Sequence, residues 1–158
     1  MLTVAVTAGI LIAGRGPYGC TKPDCYLNAM KLLNQVHHIA IICSDYEVSK
    51  KFYTEVLGME IVREVYREAR RSWKLDLAIN GHYVIELFSF PDPPPRPSTP
   101  EAQGLRHLAF EVEKLEPVIE HVRSFGVEAE PIRVDEFTGK RFTFIQDPDK
   151  LPLEFYEQ

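Results

Sequence analysis

The feature that most constrains this chain is a spacing that occurs twice. Val36-His37-His38-Ile39-Ala40-Ile41 and Leu105-Arg106-His107-Leu108-Ala109-Phe110 are alike, and each runs into a helical pattern that stops at a glycine. Gly58 lies 20 residues after His38 and Gly126 lies 19 after His107, while Glu86 and Glu154 each follow those glycines by 28. Self-similarity on this scale marks a repeated supersecondary unit, which has to be recognised before any single element is assigned.

Each copy spells out the same order of elements. In the first, Ser44-Asp45-Tyr46-Glu47 has capping-box spacing, Val48, Phe52 and Val56 recur at i, i+4 and i+8, and Gly58 supplies a left-handed stop. In the second, Leu115, Val118, Ile119 and Val122 form the apolar stripe, Pro117 is tolerable only in a first turn, and Gly126 ends the helix; no Ser, Thr, Asp or Asn cap is evident. Extended segments are expected over 60–67, 73–79 and 83–90, then over 127–134, 141–146 and 151–156. Asn80-Gly81 reads as a hairpin turn, and Asp147-Pro148-Asp149 takes the same place in the second copy.

The fold class is therefore α+β, with two βαβββ modules in one domain over 30–158. Module 1 covers 32–90 and module 2 covers 105–158. The connector 91–104 carries Pro91, Pro93, Pro94, Pro95, Pro97 and Pro100, which make it stiff and unable to continue a helix or sheet. Periodic patterning begins at Leu32, just after Met30. Residues 1–29 thus read as an N-terminal extension, an upstream start or a non-native leader, with a native extra strand or arm as the alternative.

Strand alternation puts His38, Ala40 and Ile42 on one face and Ile39 and Ile41 on the other. By the same parity Glu86 shares a face with Phe88 and Phe90. A carboxylate on so apolar a strand needs a partner, because an isolated buried charge costs several kcal/mol or neutralises itself. Glu154, between Leu153 and Phe155, repeats the problem, and the histidines supply nitrogen donors at equivalent positions. A divalent cation would satisfy all four, and two imidazoles with two carboxylates suit nickel, zinc, cobalt or manganese. His37 is the rival to His38, but its counterpart is Arg106, which cannot ligate, whereas His38 aligns with His107.

These motifs resemble the vicinal oxygen chelate superfamily, and within it the glyoxalase I-like branch of small bacterial proteins related to lactoylglutathione lyase. The likeness rests on His38-Ile39-Ala40-Ile41, Phe52-Tyr53 with Leu57-Gly58, Ile85-Glu86-Leu87, Arg106-His107-Leu108-Ala109-Phe110, and Asp147-Pro148-Asp149 followed by Leu153-Glu154-Phe155. It implies a curled mixed-sheet cup of the glyoxalase/bleomycin-resistance/dioxygenase type, with one divalent metal ion, nickel or zinc foremost, on His38, Glu86, His107 and Glu154. It also implies proton transfer through a metal-stabilised enediolate, with Glu154 as the base and Glu86 as the second choice. A homodimer is the assembly it suggests. The same scaffold supports epimerases, thiol transferases, ring-cleaving dioxygenases and metal-free small-molecule-binding modules. Bacterial glyoxalase I places an Arg and an Asn four residues after its first two ligands to hold glutathione; here those positions are Ile42 and Phe90. The implied substrate is accordingly a 2-oxoaldehyde–thiol adduct or a related small oxygenated molecule.

Candidate substrate contacts are the cluster Arg67, Arg70 and Arg71, the pair Lys140-Arg141 before a late strand, and Trp73 and Phe88 as an apolar wall. A net charge of -5 and the lack of a basic block with interleaved aromatics argue against a nucleic-acid partner. The apolar run 4–13 is too short to span a bilayer, so no membrane partner is expected. Cys20, Cys25 and Cys43 cannot all pair within one chain and have no zinc-finger spacing, which fits incidental thiols in a cytoplasmic protein.

Overall fold

Asn80 and Gly81 both take positive φ, 49° and 74°, and the hairpin they form is the tightest joint of the first module. It is seen in a computed structural model that describes residues 32–158, so the expected leader over 1–29 lies outside the described residues. Module 1 contains β1 (Ile39–Cys43), α1 (Tyr46–Lys51), β2 (Glu60–Arg67), β3 (Ser72–Ile79) and β4 (His82–Ser89). Module 2 contains β5 (Leu108–Val112), α2 (Leu115–Ser124), β6 (Arg133–Val134), β7 (Arg141–Gln146) and β8 (Pro152–Glu157). Each is a four-stranded mixed sheet, ordered β1-β4-β3-β2 and β5-β8-β7-β6. The first strand runs parallel to the last and the others are antiparallel. The two βαβββ units of the α+β reading are both present.

Local chemistry departs from expectation at three places. Asp45, not Ser44, caps α1, its Oδ1 accepting from the Val48 N–H at 3.0 Å, while the Ser44 N–H donates to Asp149. The helix then widens into a π-helical turn over Phe52–Val56. The buried side of this segment carries Tyr46, Ser49, Phe52, Tyr53 and Val56 and leaves Val48 outside the stripe, half exposed. In module 2 the strand expected over 127–134 shrinks to Arg133–Val134. Pro131 has no N–H for a ladder; Glu130 donates to the Phe144 carbonyl at 2.8 Å, while Val127 donates back to Val122 of the helix. The uncapped α2 receives a donor sink from afar: Glu157 accepts from the Leu115 N–H.

The core lies on one face of each sheet. Leu75, Leu77, Ile85 and Leu87 from module 1 and Leu115, Val122, Ile145 and Leu153 from module 2 belong to one buried cluster with Tyr53. Each such side chain contributes roughly 1.5–3 kcal/mol on burial. The modules are joined across this core by the Tyr53 hydroxyl, which donates to Asp147 Oδ2 at 2.8 Å, and by a 2.9 Å contact between His121 Nε2 and the Val56 carbonyl. The opposite faces of the sheets are open, and Ile42 and Val65 are exposed there.

Candidate metal centre

The open face of module 1 is built by register. Ala40 pairs with Glu86 and Ile42 with Phe88 across β1 and β4, and Asp76 pairs with Glu86 and Lys74 with Phe88 across β3 and β4. Directly paired residues share a face, so Lys74, Asp76, Glu86 and Phe88 line one surface. A bulge adds to it. Leu77 pairs with Ile85 but Ala78 pairs with Tyr83, so Val84 is skipped and Tyr83 turns onto the Glu86 side.

The result is a dense polar cluster. His38 Nε2 stands 3.2 Å from Glu86 Oε2, while Glu86 Oε1 accepts from Lys74 Nζ at 2.6 Å and from the Tyr83 hydroxyl at 2.5 Å. Lys74 also pairs with Asp76, which Arg63 holds from its other side at 2.8 Å. Burial works to raise the Glu86 carboxyl pKa, but the hydrogen bonds from Lys74 and Tyr83 outweigh it and hold the group below the ordinary carboxylate range. Asp76 is depressed in the same way, burial being overcome by Lys74 and Arg63. The His38 ring stacks on Tyr83, and its Nδ1 lies 2.7 Å from Nδ1 of His37. The rival histidine therefore sits behind His38, where a partner that orients a ligand ring belongs.

Module 2 repeats the pair and omits the polar surroundings. His107 Nε2 is 3.1 Å from Glu154 Oε2, with Glu154 paired to Ala109 and Phe144 by register. Phe142 and Phe144 stand where module 1 has Lys74 and Asp76, and no other hydrogen bond to Glu154 occurs among the described residues. His107 Nδ1 is buried without a partner. A cavity of about 250 Å³ lies alongside, lined by Arg106, His107, Arg133 and Phe144 among others. A larger cavity of about 680 Å³, bordered by Met59, Ile79, Phe110 and His121, touches none of the four ligand candidates.

The donor set fits a divalent ion. Two ligand atoms about 2.1 Å from one cation and at right angles to each other lie roughly 3 Å apart, which is the nitrogen–oxygen separation in both pairs. Among the described residues, however, no group of three or more His, Cys, Asp or Glu side chains is arranged so that it could hold a metal ion. The four sequence-derived ligands are brought together as two pairs, one per module.

The other candidates divide by face. Phe88 and Arg67 line the open face of module 1, the Arg67 guanidinium lying 4.6 Å from the Phe88 ring centre. Trp73 does not join them: it lies in β3 on the core side, pairs with Tyr66 of β2 and stacks on Tyr46 of α1. Arg141 also falls on the helix side of its sheet, held by Glu116 and Glu157, because Phe142 takes the open face. Arg70 and Arg71 are exposed in the turn between β2 and β3, where Arg71 has a φ of 46°. Sequence reasoning missed Lys74, Asp76 and Tyr83. Strand parity with Glu86 could have signalled the first two; the bulge that delivers Tyr83 leaves no mark in the pattern.

Residues 35–155 match the Glyoxalase/Bleomycin resistance protein/Dioxygenase superfamily. The chain belongs to this superfamily. Within it, the chain is 65% identical to the uncharacterized protein YaeR of Escherichia coli K12 over 126 residues, covering 80% of this chain and 98% of YaeR. It is 63% identical over 127 residues to the uncharacterized protein YwkD of Bacillus subtilis strain 168, covering 80% and 99%. The crystal structure of a glyoxalase family protein from Enterococcus faecalis superposes with a TM-score of 0.74 at 49% identity, covering 80% of this chain and 99% of that one. The superfamily fold is thus shared over both modules. No helix among the described residues is long and apolar enough to cross a membrane.

Proposed function

We propose that this superfamily member is a divalent-metal-dependent lyase or isomerase of glyoxalase I type, shifting a proton between adjacent carbons of a small oxygenated substrate such as a 2-oxoaldehyde–thiol adduct. The observation that carries this reading is the pair of His–Glu couples, matched in face, register and distance, on the open sides of the two modules. His38, Glu86, His107 and Glu154 would hold nickel, zinc, cobalt or manganese. Because one chain keeps the couples apart, the centre is completed when module 1 of one chain faces module 2 of a second copy, which also covers the exposed Ile42 and Val65.

When bound, a cation would polarise substrate oxygens and stabilise the negative charge that builds as the proton leaves carbon. Glu154 takes that proton and returns it to the neighbouring carbon. Glu86 is the poorer base: Lys74 and Tyr83 occupy one of its oxygens and hold it ionised, whereas His107 is the one partner of Glu154 among the described residues. Phe142 and Phe144 keep the Glu154 side apolar, which strengthens every electrostatic interaction there. Ile42 and Phe90 offer no side-chain hydrogen bond at the places where glutathione would be held, which favours a thiol partner other than glutathione.

The test is thioester formation from methylglyoxal with a panel of thiols on protein loaded with nickel, cobalt, manganese or zinc. We expect turnover with at least one non-glutathione thiol. Glu154→Gln should retain the cation by elemental analysis and lose turnover at least about a hundredfold; no thioester across the panel would sink the reading.

A further inference from the structure

Arg67 is the cation that the site described so far leaves unused. It closes β2, pairs with Ser72 across β3, and so falls on the open face with Lys74 and Phe88. Its Nε and Nη2 both donate to the buried Ser72 hydroxyl, at 3.1 and 2.5 Å. Its guanidinium carbon lies 4.6 Å from the Phe88 ring centre and 5.4 Å from that of Phe90. Two rings and a neutral hydroxyl therefore fix its orientation, while no carboxylate stands within ion-pair distance among the described residues. The other guanidinium groups on strands behave differently: Arg63 is paired with Asp76, Arg133 with Glu130, and Arg141 with Glu116 and Glu157. An oriented, partly buried guanidinium whose Nη1 has no partner among the described residues is a docking point for an anion.

Its place in the site sets the kind of anion. Phe88 follows Glu86 by two residues on β4, about 6.7 Å along the strand. Lys74 Nζ, on Glu86, lies 5.9 Å from the same Phe88 ring. In module 2 the position equivalent to Phe88 is Tyr156, whose hydroxyl is bound to Asp135 and Thr138, and the guanidinium at that end, Arg133, 5.0 Å from the Phe142 ring centre, is already paired with Glu130. Among the described residues, the strand guanidinium on these open faces that has no carboxylate partner is thus on module 1.

We propose that Arg67 holds an anionic group, a carboxylate or a phosphate, at the far end of a short substrate whose oxygens are chelated beside Glu86, with the Phe88 ring beneath the carbons between them. This deepens the metal-dependent reading and rests on it for the chelated end. It assigns the substrate class as small oxygenated acids that carry a second anion two or three bonds from the chelating atoms.

Lactate, malate and 2-hydroxyglutarate present the same hydroxy-acid chelating end, and the last two add a carboxylate. On nickel-loaded full-length protein, calorimetry should show one of the two dicarboxylates binding about tenfold more tightly than lactate. Arg67→Gln should bring that ratio to within about twofold with nickel content and lactate affinity unchanged, and Arg67→Lys should keep part of it. A ratio near one in the wild-type protein, or an undiminished ratio in Arg67→Gln, overturns the proposal. Elemental analysis separates this from failure of the metal reading, which would appear as no nickel uptake. In that event inorganic phosphate added to metal-free protein decides. The Arg67 Nε–H resonance, identified by its loss in Arg67→Gln, should move with phosphate, and an unmoved signal counts against the anion site. Where it moves, repeating the titration with acetate distinguishes phosphate from carboxylate preference.

Discussion

Glu86 and Glu154 are the same residue at the same register position in two copies of one module, yet their surroundings separate them. Glu86 is held by Lys74, Tyr83 and His38, whereas Glu154 meets His107 among aromatic rings. A carboxylate tied by donors is a stable ligand; one without them is freer to accept a proton. Tyr83 should therefore act on the metal through Glu86. Tyr83→Phe is expected to weaken nickel binding by about ten- to a hundredfold, measured by competition with a chelating dye, as loss of an outer partner of a ligand does. His38→Ala and His107→Ala should each release the cation outright.

At the scale of elements, two side-chain links tie α1 and the turn after it to distant strands. Lys50 and Tyr46 both donate to Glu64 of β2 at 2.7 Å, and the Lys50 hydrogen bond, followed by that from Tyr46, holds the Glu64 carboxyl below its ordinary value of 4.5. A depressed folded-state pKa means that the unfolded chain binds the proton more readily. The stabilisation is thus complete above about pH 4.5 and is lost as pH falls through the lower folded value. Thermal melts at about pH 6 and pH 3.5 should show Glu64→Gln less acid-sensitive than the parent. The second link is Tyr53 to Asp147, both buried. Tyr53→Phe leaves a buried carboxylate oxygen short of a donor and should cost about 1–3 kcal/mol in denaturant unfolding.

For the whole molecule, the consequence of two separated His–Glu couples is that, on the proposed reading, one chain would carry two half-sites. Shared between copies as proposed, they would make two centres per dimer, each with one couple from each chain. Mixing His38→Ala and His107→Ala chains by joint refolding should then restore metal binding. Half of the dimers formed at random are mixed, and each has one intact centre, so about a quarter of the sites should fill. Recovery absent from the mixture, by elemental analysis after gel filtration, would show that each chain builds its centre alone.

What the amino-acid order determined by itself is what depends on local period and on repetition. Two βαβββ modules, the hairpin at Asn80-Gly81, the stops at Gly58 and Gly126, and the preference for His38 over His37 all follow from side-chain alternation and from the spacing that recurs. Tertiary structure alone decided the rest, because it depends on pairings between segments distant in sequence. The bulge that turns Tyr83 toward Glu86 arises between β3 and β4. The burial of Tyr53 on Asp147 crosses from one module to the other, and the places of Arg141 and Trp73 on the helix sides of their sheets were set by which face each helix covers. Above all, local pattern cannot tell whether two matched half-sites meet within a chain. Their separation here is a property of how the two sheets share one core.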